Sequence, residues 1–134
     1  MKNKFKAAVL AAAVVAGTVV AATPAQALSH CNRGTGIIIC EYGVATFTSR
    51  AGIQYEFAIG TDLAAYVRTK KSSTNWSNWS YLGGEWRSGI NILDGDNRNL
   101  EFAIAATGTD ALAWVNGYAW DGTRTGWHHL PDPY

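Results

Sequence analysis

The chain has 134 residues, of which 11 are Lys or Arg, 10 are Asp or Glu, 6 are Trp and 2 are Cys. This length suits one domain with a modest core, and the balanced charge excludes the strongly basic surface by which proteins bind nucleic acids or anionic membranes. We therefore expect no nucleic-acid partner.

The N-terminal segment has the features of a secretory signal peptide. Three lysines within the first six residues precede an apolar run over residues 7–20, and an Ala-Gln-Ala cleavage motif ends at Ala27. The apolar run is too short to span a bilayer, and no second apolar stretch of about 18 residues follows it. We expect residues 1–27 to be removed, which leaves residues 28–134 as one exported domain without a membrane span. Loss of the three lysines leaves eight basic and ten acidic side chains.

The two cysteines, Cys31 and Cys40, lie close together at the start of the exported part. In a secreted chain such a pair predicts a disulfide that closes a short loop, which stabilises the fold by roughly 2 to 3 kcal/mol at most. A redox or metal-binding pair is the alternative, but neither a CxxC motif nor a second cysteine pair supports it.

The sequence after the cysteine loop predicts short β-strands separated by turns. No segment of about ten residues has the 3.6-residue apolar period of a helix, whereas large apolar residues alternate at Tyr55, Phe57 and Ile59. Glu56 and Glu101 lie between alternating apolar positions, so we expect both side chains on the solvated face. The predicted strands cover residues 44–48, 55–59, 65–69, 76–82, 90–92, 100–106, 111–116 and 126–130, with a polar loop over residues 118–125.

Part of the sequence recurs after 48 residues. The tripeptide at residues 60–62, Gly-Thr-Asp, reappears at residues 108–110, and a period of about 40 to 50 residues is typical of four-stranded propeller-type units. We therefore predict an all-β fold of two four-stranded antiparallel, propeller-blade-like repeats over residues 37–84 (unit 1) and 85–130 (unit 2). Further matches at the same shift are Ala65 with Ala113, Tyr66 with Trp114, Val67 with Val115, Trp79 with Trp127 and Leu82 with Leu130.

The alternating apolar residues of unit 2 match those of unit 1 at a different shift. Phe102, Ile104 and Ala106 follow their apolar counterparts by 47 residues rather than 48. We interpret the difference as one added residue, Thr107. The pattern thus predicts a β-bulge at Thr107 that keeps the apolar face inward.

Few residues suggest catalysis. Asp62 and Asp110 occupy equivalent places, but we interpret both Gly-Thr-Asp segments as hairpin turns in which Gly supplies a positive φ and Asp accepts from nearby amides. His128 and His129 are adjacent on a predicted strand, so their rings should point to opposite faces and not share a metal. Without a Ser-His-Asp set, a phosphate-binding glycine loop or a metal cluster, we expect neither catalytic residues nor a cofactor.

Aromatic residues are the most informative class. Each ring can stabilise a small β domain by burial, which is the simplest explanation for any one of them. Trp76 and Trp79 are three apart on a predicted strand, so we expect their rings on opposite faces. Exposed rings, in contrast, can stack on sugars while polar neighbours bond the hydroxyls. Our candidate glycan-binding residues are Trp86 and Arg87 in the connection between the units, Trp120 and Asp121 in the second loop, and Trp76 and Asn116.

The segment Trp-Ser-Asn-Trp-Ser-Tyr-Leu-Gly-Gly at residues 76–84, preceded by Phe-Ala-Ile-Gly-Thr-Asp at residues 57–62 and Tyr66, resembles the repeat of bacterial β-propeller lectins of the Photorhabdus-lectin and tachylectin types. The second copy is degraded, with Arg124 in place of Trp76 and Pro131 in place of Gly83. The resemblance implies blades of a ring of five to seven. Two units leave open edges, so either they fold onto each other with the cysteine segment over one edge, or several chains complete a ring.

The whole chain also resembles small secreted actinobacterial proteins of the spore-associated protein A type. This resemblance implies a spore or cell-surface location and supplies no catalytic residues. We expect a secreted, non-enzymatic protein that binds cell-wall or spore-surface glycans. The alternatives are a small inhibitor of extracellular hydrolases, acting through the loop at residues 70–75, and a purely structural coat component.

Overall fold

The computed structural model describes residues 27–96 and 98–130. These residues form ten β-strands and one short 3-10 helix, which confirms the all-β prediction. The predicted signal peptide lies outside the described residues except for Ala27. Within the described part, no helix has the length and apolar character that a membrane crossing requires.

A disulfide-linked hairpin precedes the two four-stranded sheets. Strands β1 (His30–Arg33) and β2 (Gly36–Ile39) pair antiparallel, and the 3-10 helix Cys40–Tyr42 follows. Cys31 and Cys40 are joined by an S–S bond of 2.03 Å. The predicted disulfide is confirmed, and it ties the two ends of the hairpin together.

The two units form two four-stranded antiparallel sheets, each with its strands in sequence order, as predicted. The last strand of unit 1 is shorter than expected and begins at Ser80, and Tyr118, predicted in a loop, lies buried within a strand. The first sheet contains β3 (Val44–Thr48), β4 (Gln54–Ile59), β5 (Ala65–Lys70) and β6 (Ser80–Gly83), and the second contains β7 (Asn91–Asp94), β8 (Leu100–Thr107), β9 (Ala113–Ala119) and β10 (Arg124–His129).

Strand pairing reproduces the 48-residue repeat. Phe57 lies opposite Val67 in the first sheet, and Ala105 lies opposite Val115 in the second. Outside the strands, the isolated bridge between Ile38 and Gly60 has its counterpart 48 residues later between Trp86 and Gly108. The repeat therefore includes the segment that leads into each unit, which the sequence matches did not reveal.

The predicted β-bulge at Thr107 is wrong. Thr107 pairs regularly with Ala113, and the irregularity in this hairpin lies between Leu100 and Phe102. By register the counterpart of Phe57 is Ala105. Ile104, the neighbouring residue on the same strand, belongs to the core, so its side chain points to the face opposite that of Ala105. The 47-residue match thus reflects a change of the buried face rather than an inserted residue.

The core lies between the two sheets and is largely aromatic. Tyr55 and Phe57 of the first sheet contact Phe102 and Tyr118 of the second, with ring centroids 5.3 to 6.1 Å apart. We call the face that carries Phe57, and its counterpart carrying Ala105, the front face of each sheet. The front of the first sheet packs against the back of the second, so the units are stacked in one direction rather than mirrored.

The opposite face of the first sheet holds a buried charge network, contrary to the expectation for Glu56. The Glu56 side chain is buried, with its carboxylate 2.8 Å from Arg68 Nη2 and 2.6 Å from Arg33 Nη2 of the hairpin. Burial by itself raises the pKa of the Glu56 carboxyl, but hydrogen bonds from Arg33 and Arg68 and their positive charges outweigh burial and hold the pKa below its usual value. The alternation pattern did not reveal this because the partners come from other strands.

Two tryptophans stack on the same guanidinium, contrary to the predicted opposite orientation. The Arg68 Cζ atom lies 4.7 Å from the ring centroid of Trp76 and 4.9 Å from that of Trp79. Both tryptophans precede β6, so the alternation of a regular strand does not apply to them.

Candidate functional site

Two surface pockets lie at equivalent places in the two units. Their cavity volumes are about 360 and 350 Å³. Every lining residue of one has its counterpart exactly 48 positions away in the other, so the fold builds the same site twice. The first pocket is lined by Gly36, Ile37, Ile38, Gly60, Thr61, Asp62, Tyr66 and Trp79, and the second by Gly84, Glu85, Trp86, Gly108, Thr109, Asp110, Trp114 and Trp127.

The floor of each pocket is a Gly-Thr-Asp turn held by its aspartate. Asp62 Oδ1 accepts a hydrogen bond of 3.0 Å from the amide of Ala64, and Asp110 Oδ1 accepts one of 3.0 Å from the amide of Leu112. This confirms the predicted role of the aspartates in the turns. Each carboxylate also accepts a hydrogen bond from the aromatic residue four positions later, Tyr66 in the first pocket and Trp114 in the second. The aspartate therefore holds both the turn and the aromatic ring that lines the pocket.

The glycines of these turns serve a different purpose from the one predicted. Neither Gly60 nor Gly108 has a positive φ; that conformation, at φ 67°, falls on Leu63 and Ala111 instead. A Cβ atom on Gly60 would lie 2.8 Å from the ring of Tyr66, and one on Gly108 would lie 2.9 Å from Trp114 Nε1. Glycine is required here because the aromatic ring packs directly on the backbone.

The aromatic walls are fixed by hydrogen bonds from their polar atoms. In the first pocket Tyr66 Oη donates to Asp62 Oδ2 at 2.7 Å, and Trp79 Nε1 donates to the carbonyl of Arg33 at 2.9 Å. Hydrogen bonding to Asp62 raises the pKa of the Tyr66 hydroxyl, so it keeps its proton and remains the donor.

The second pocket repeats this arrangement with indole rings. Trp114 Nε1 lies 3.2 Å from both carboxylate oxygens of Asp110, and Trp127 Nε1 donates to the carbonyl of Leu82 at 3.1 Å. His129 Nε2 lies 3.1 Å from Asp110 Oδ2. The hydrogen bond from the backbone amide of Leu112 is the largest influence on the pKa of Asp110 and lowers it, and those from Trp114 and His129 act in the same direction.

The two pockets differ at three of eight positions. The first has Ile37, Ile38 and Tyr66 where the second has Glu85, Trp86 and Trp114. The second pocket therefore carries one more carboxylate and two more indole rings. The Gly-Thr-Asp turn, the entry glycine and the wall tryptophan are the same in both.

The structure separates the residues predicted to bind glycans. Trp86 lines the second pocket, but it is only 3% exposed, which contradicts the predicted exposure. Its indole belongs to the core and packs with its centroid 4.3 Å from that of Trp127. Arg87 is exposed beside it, and its backbone amide donates to the carbonyl of Thr107.

The other predicted residues line neither pocket. Trp120 is exposed at 38% as expected, and the guanidinium of Arg50 lies 4.9 Å from its ring centroid. Asp121 Oδ1 accepts from the amide of Thr123 in the same turn. Trp76 stacks on Arg68 as described above, and Asn116 is buried, where its side-chain oxygen accepts from the amide of Gly126.

Sequence reasoning missed most of the pocket residues, although the signal was present. The Gly-Thr-Asp turns, the match of Trp79 with Trp127 and that of Tyr66 with Trp114 were the clearest parts of the repeat, and the structure brings them together. Taken singly, each of these residues is typical of a turn or of a core. What identifies them as parts of a site is that equivalent residues of the two units come together in space, and this is visible only in the structure.

The pockets can supply ring faces, a carboxylate and a threonine hydroxyl to a ligand. Among residues 27–96 and 98–130, no three His, Cys, Asp or Glu side chains are grouped so that they could hold a metal ion. No protein-family model matches the sequence, and a search of curated proteins finds no significant match.

Proposed function

We propose that the chain is a secreted, non-catalytic, lectin-like protein that binds glycans at a spore or cell surface. The observation that carries this proposal is the pair of pockets built from equivalent residues at a 48-residue spacing. A core needs apolar residues at equivalent positions, but it does not need the same turn, carboxylate and half-buried tryptophan around an open cavity. Such duplication is typical of repeat proteins that bind one class of ligand several times.

The chemistry of the pockets suits sugars. Half-buried rings, Tyr66 and Trp79 in one pocket and Trp114 and Trp127 in the other, offer apolar faces to the C–H side of a sugar ring. The exposed Thr61 and Thr109 hydroxyls and the aspartates offer partners for sugar hydroxyls. A volume of about 350 Å³ is at the lower end of the range for small-molecule sites, which favours a ligand of one or two sugar rings.

We also propose that the two sheets are propeller blades and that several copies of the chain complete a ring. The stacking of front face on back face supports this interpretation, because blades around an axis repeat in one direction. The two units are joined by hydrogen bonds from Trp86 N to the carbonyl of Leu63, at 2.9 Å, and from Trp127 Nε1 to that of Leu82, at 3.1 Å. The corresponding acceptors of unit 2 are the carbonyls of Ala111 and Leu130.

The apolar residues at that end of unit 2 support a second copy as its partner. Leu112 is 50% exposed and Leu130 is 40% exposed, whereas their counterparts in unit 1, Ala64 and Leu82, are buried or packed on the core. At the other end of the chain, Ile37 of the hairpin is 54% exposed. A head-to-tail contact would cover these residues and continue the contact already present between the units.

A glycan array with the full-length secreted protein, purified after export, tests ligand binding. Ligands from the array are then titrated into the double variant Asp62→Asn, Asp110→Asn. Losing a charged acceptor in each pocket should weaken binding by about tenfold or more. Asp121→Asn is the matched control, since Asp121 makes the same bond to an amide two residues later but lines neither pocket.

Three outcomes are distinguishable in this experiment. Loss of binding in the double variant alone supports the two pockets. Loss in Asp121→Asn alone would move the site to the Trp120–Asp121 turn and refute the pocket assignment. No bound glycan at all would overturn the lectin proposal.

A further inference from the structure

The second pocket differs from the first in charge as well as in shape. Glu85 occupies the place that Ile37 has in the first pocket, so two carboxylates, Glu85 and Asp110, line the second pocket. Hydrogen bonds, above all from the amide of Leu112, lower the pKa of Asp110, which keeps it ionised at neutral pH. Among the residues that the structure describes, no Lys or Arg lines this pocket.

Three indole rings surround the same cavity. The ring of Trp86 lies 4.3 Å from that of Trp127 and 6.3 Å from that of Trp114, the latter pair inclined at 72°. The faces of indole rings carry partial negative charge and attract cations, and indole does so more strongly than phenol or benzene. In the first pocket, the described lining residues include one indole, that of Trp79.

All three indole N–H groups already have acceptors. Trp86 Nε1 donates to the carbonyl of Gly83 at 2.9 Å, Trp127 Nε1 to that of Leu82 at 3.1 Å, and Trp114 Nε1 to Asp110 at 3.2 Å. The half-buried Trp114 and Trp127 therefore offer a ligand their faces rather than their donors, whereas Trp86, which is 3% exposed, packs behind the ring of Trp127. Together with two carboxylates, this leaves a site that accepts hydrogen bonds and positive charge.

We propose that the second pocket binds an alkylammonium group, whereas the first binds a neutral ligand. The group is the free amine of an amino sugar or a trimethylammonium head such as that of choline. Both combine a positive charge with C–H groups that can contact the indole faces. This inference rests on the proposed use of the pocket for ligand binding, and it adds that the duplicated sites have diverged in ligand charge.

Matched pairs of ligands test the proposal with the full-length secreted protein. Glucosamine is compared with N-acetylglucosamine, and choline with its neutral analogue 3,3-dimethyl-1-butanol, by following the indole N–H resonances of the tryptophans in NMR titrations. Titrations at about pH 6 keep the amine of glucosamine protonated, because amines beside electron-withdrawing groups lose their proton at about pH 8. His129, which contacts Asp110, is the same in every arm of the comparison. The cationic member of each pair should bind at least about fivefold more tightly, and added salt should reduce the difference.

Variants assign the preference to the second pocket. Glu85→Gln and Trp114→Tyr each make this pocket more like the first, and each should reduce the preference for the cation by about three- to tenfold. Asp62→Asn, which removes the carboxylate of the first pocket, should leave the preference unchanged. Perturbed resonances should belong to Trp86, Trp114 and Trp127 rather than to Trp79.

The results separate this inference from the lectin proposal. Equal binding of charged and neutral partners, or a preference that survives Glu85→Gln and Trp114→Tyr, overturns the inference while leaving glycan binding intact. Cation binding without any glycan binding supports the inference and removes the lectin proposal. A preference for choline over 3,3-dimethyl-1-butanol without one for glucosamine identifies the trimethylammonium head, and the reverse result identifies the amino sugar.

Discussion

Arg68 of unit 1 combines a buried ion pair with contacts to two tryptophan rings. Its guanidinium contacts the rings of Trp76 and Trp79 and bonds Glu56, whose side chain is 6% exposed. Arg33, from the hairpin, supplies the second positive charge. Burying such a pair has a large desolvation cost, so we infer that the pair mainly specifies how the hairpin packs on the sheet. Removing one partner strongly lowers the free energy of unfolding, because the other charge is then left buried and unpaired.

Glu56→Gln should lower the free energy of unfolding by about 3 kcal/mol or more, because Arg68 is then left buried without its counter-charge. Urea denaturation measures the loss. Glu85→Gln, on an exposed glutamate, should change the free energy of unfolding by no more than about 0.5 kcal/mol. Similar stability of the two variants would show that the ion pair does not support the fold.

The same carboxyl gives a pH dependence with a defined sign. Its pKa in the folded chain lies below the ordinary glutamate value of about 4.3, so its stabilising contribution is complete above that value. The contribution is lost as the pH falls through the lower folded pKa. Between about pH 5 and pH 2 the wild type should therefore lose more stability than Glu56→Gln, and parallel curves would contradict this assignment.

At the scale of elements, the two Gly-Thr-Asp hairpins contain strained backbone next to the pockets. Leu63 and Ala111 both adopt φ 67°, a conformation that costs a residue with a side chain about 1 to 2 kcal/mol. The strain occurs at the same position of both turns, directly after the aspartate. Strained backbone of this type concentrates at functional sites, which agrees with the location of the two pockets.

Ala111→Gly should be neutral or should stabilise the chain by up to about 1 kcal/mol, because glycine relieves the strained φ and the lost methyl group is exposed. The matched control is Ala113→Gly, two residues later, where the exposed alanine lies in β9 with no positive φ. That change should destabilise by about 0.5 to 1 kcal/mol. Thermal unfolding of the two variants compares them, and equal destabilisation would rule out strain at Ala111.

At the scale of the whole molecule, the stacking of front on back makes the two ends of the pair of units different. Unit 1 buries its front face against unit 2, whereas on the front of unit 2 Ala103 and Val115 are already buried, and the exposed apolar residues of that end are Leu112 and Leu130. The β1–β2 hairpin covers the back of the first sheet through Arg33. The two ends of the chain are therefore built differently, as a head-to-tail assembly requires.

Light scattering of the secreted protein should give a mass of three or more copies, since three pairs of units are the fewest that complete a ring of about five to seven blades. The double variant Leu112→Asp, Leu130→Asp should shift the protein to monomer by placing charges in the contact. Trp120→Asp changes an apolar residue of similar exposure outside this surface and should leave the mass unchanged. A wild-type monomer would contradict the ring proposal.

The sequence by itself determined the all-β class, the two units, the disulfide and the antiparallel sheets. These depend on local information: alternating apolar residues, turn composition, cysteine spacing and a repeat that is visible without coordinates. The 48-residue shift even matched the walls of the pockets, Tyr66 with Trp114 and Trp79 with Trp127.

Only the tertiary structure decided which face of each sheet is buried, which charged side chains are buried and where the pockets lie. Alternation predicts that a strand has two different faces but not which one meets a neighbour, so the sequence pattern pairs Phe102 and Ile104 with Tyr55 and Phe57, which lie on the other face. Glu56 is buried because arginines from two other strands reach it. Each pocket combines an entry segment, a turn and two rings that are up to 43 residues apart in the chain, and only packing brings them together.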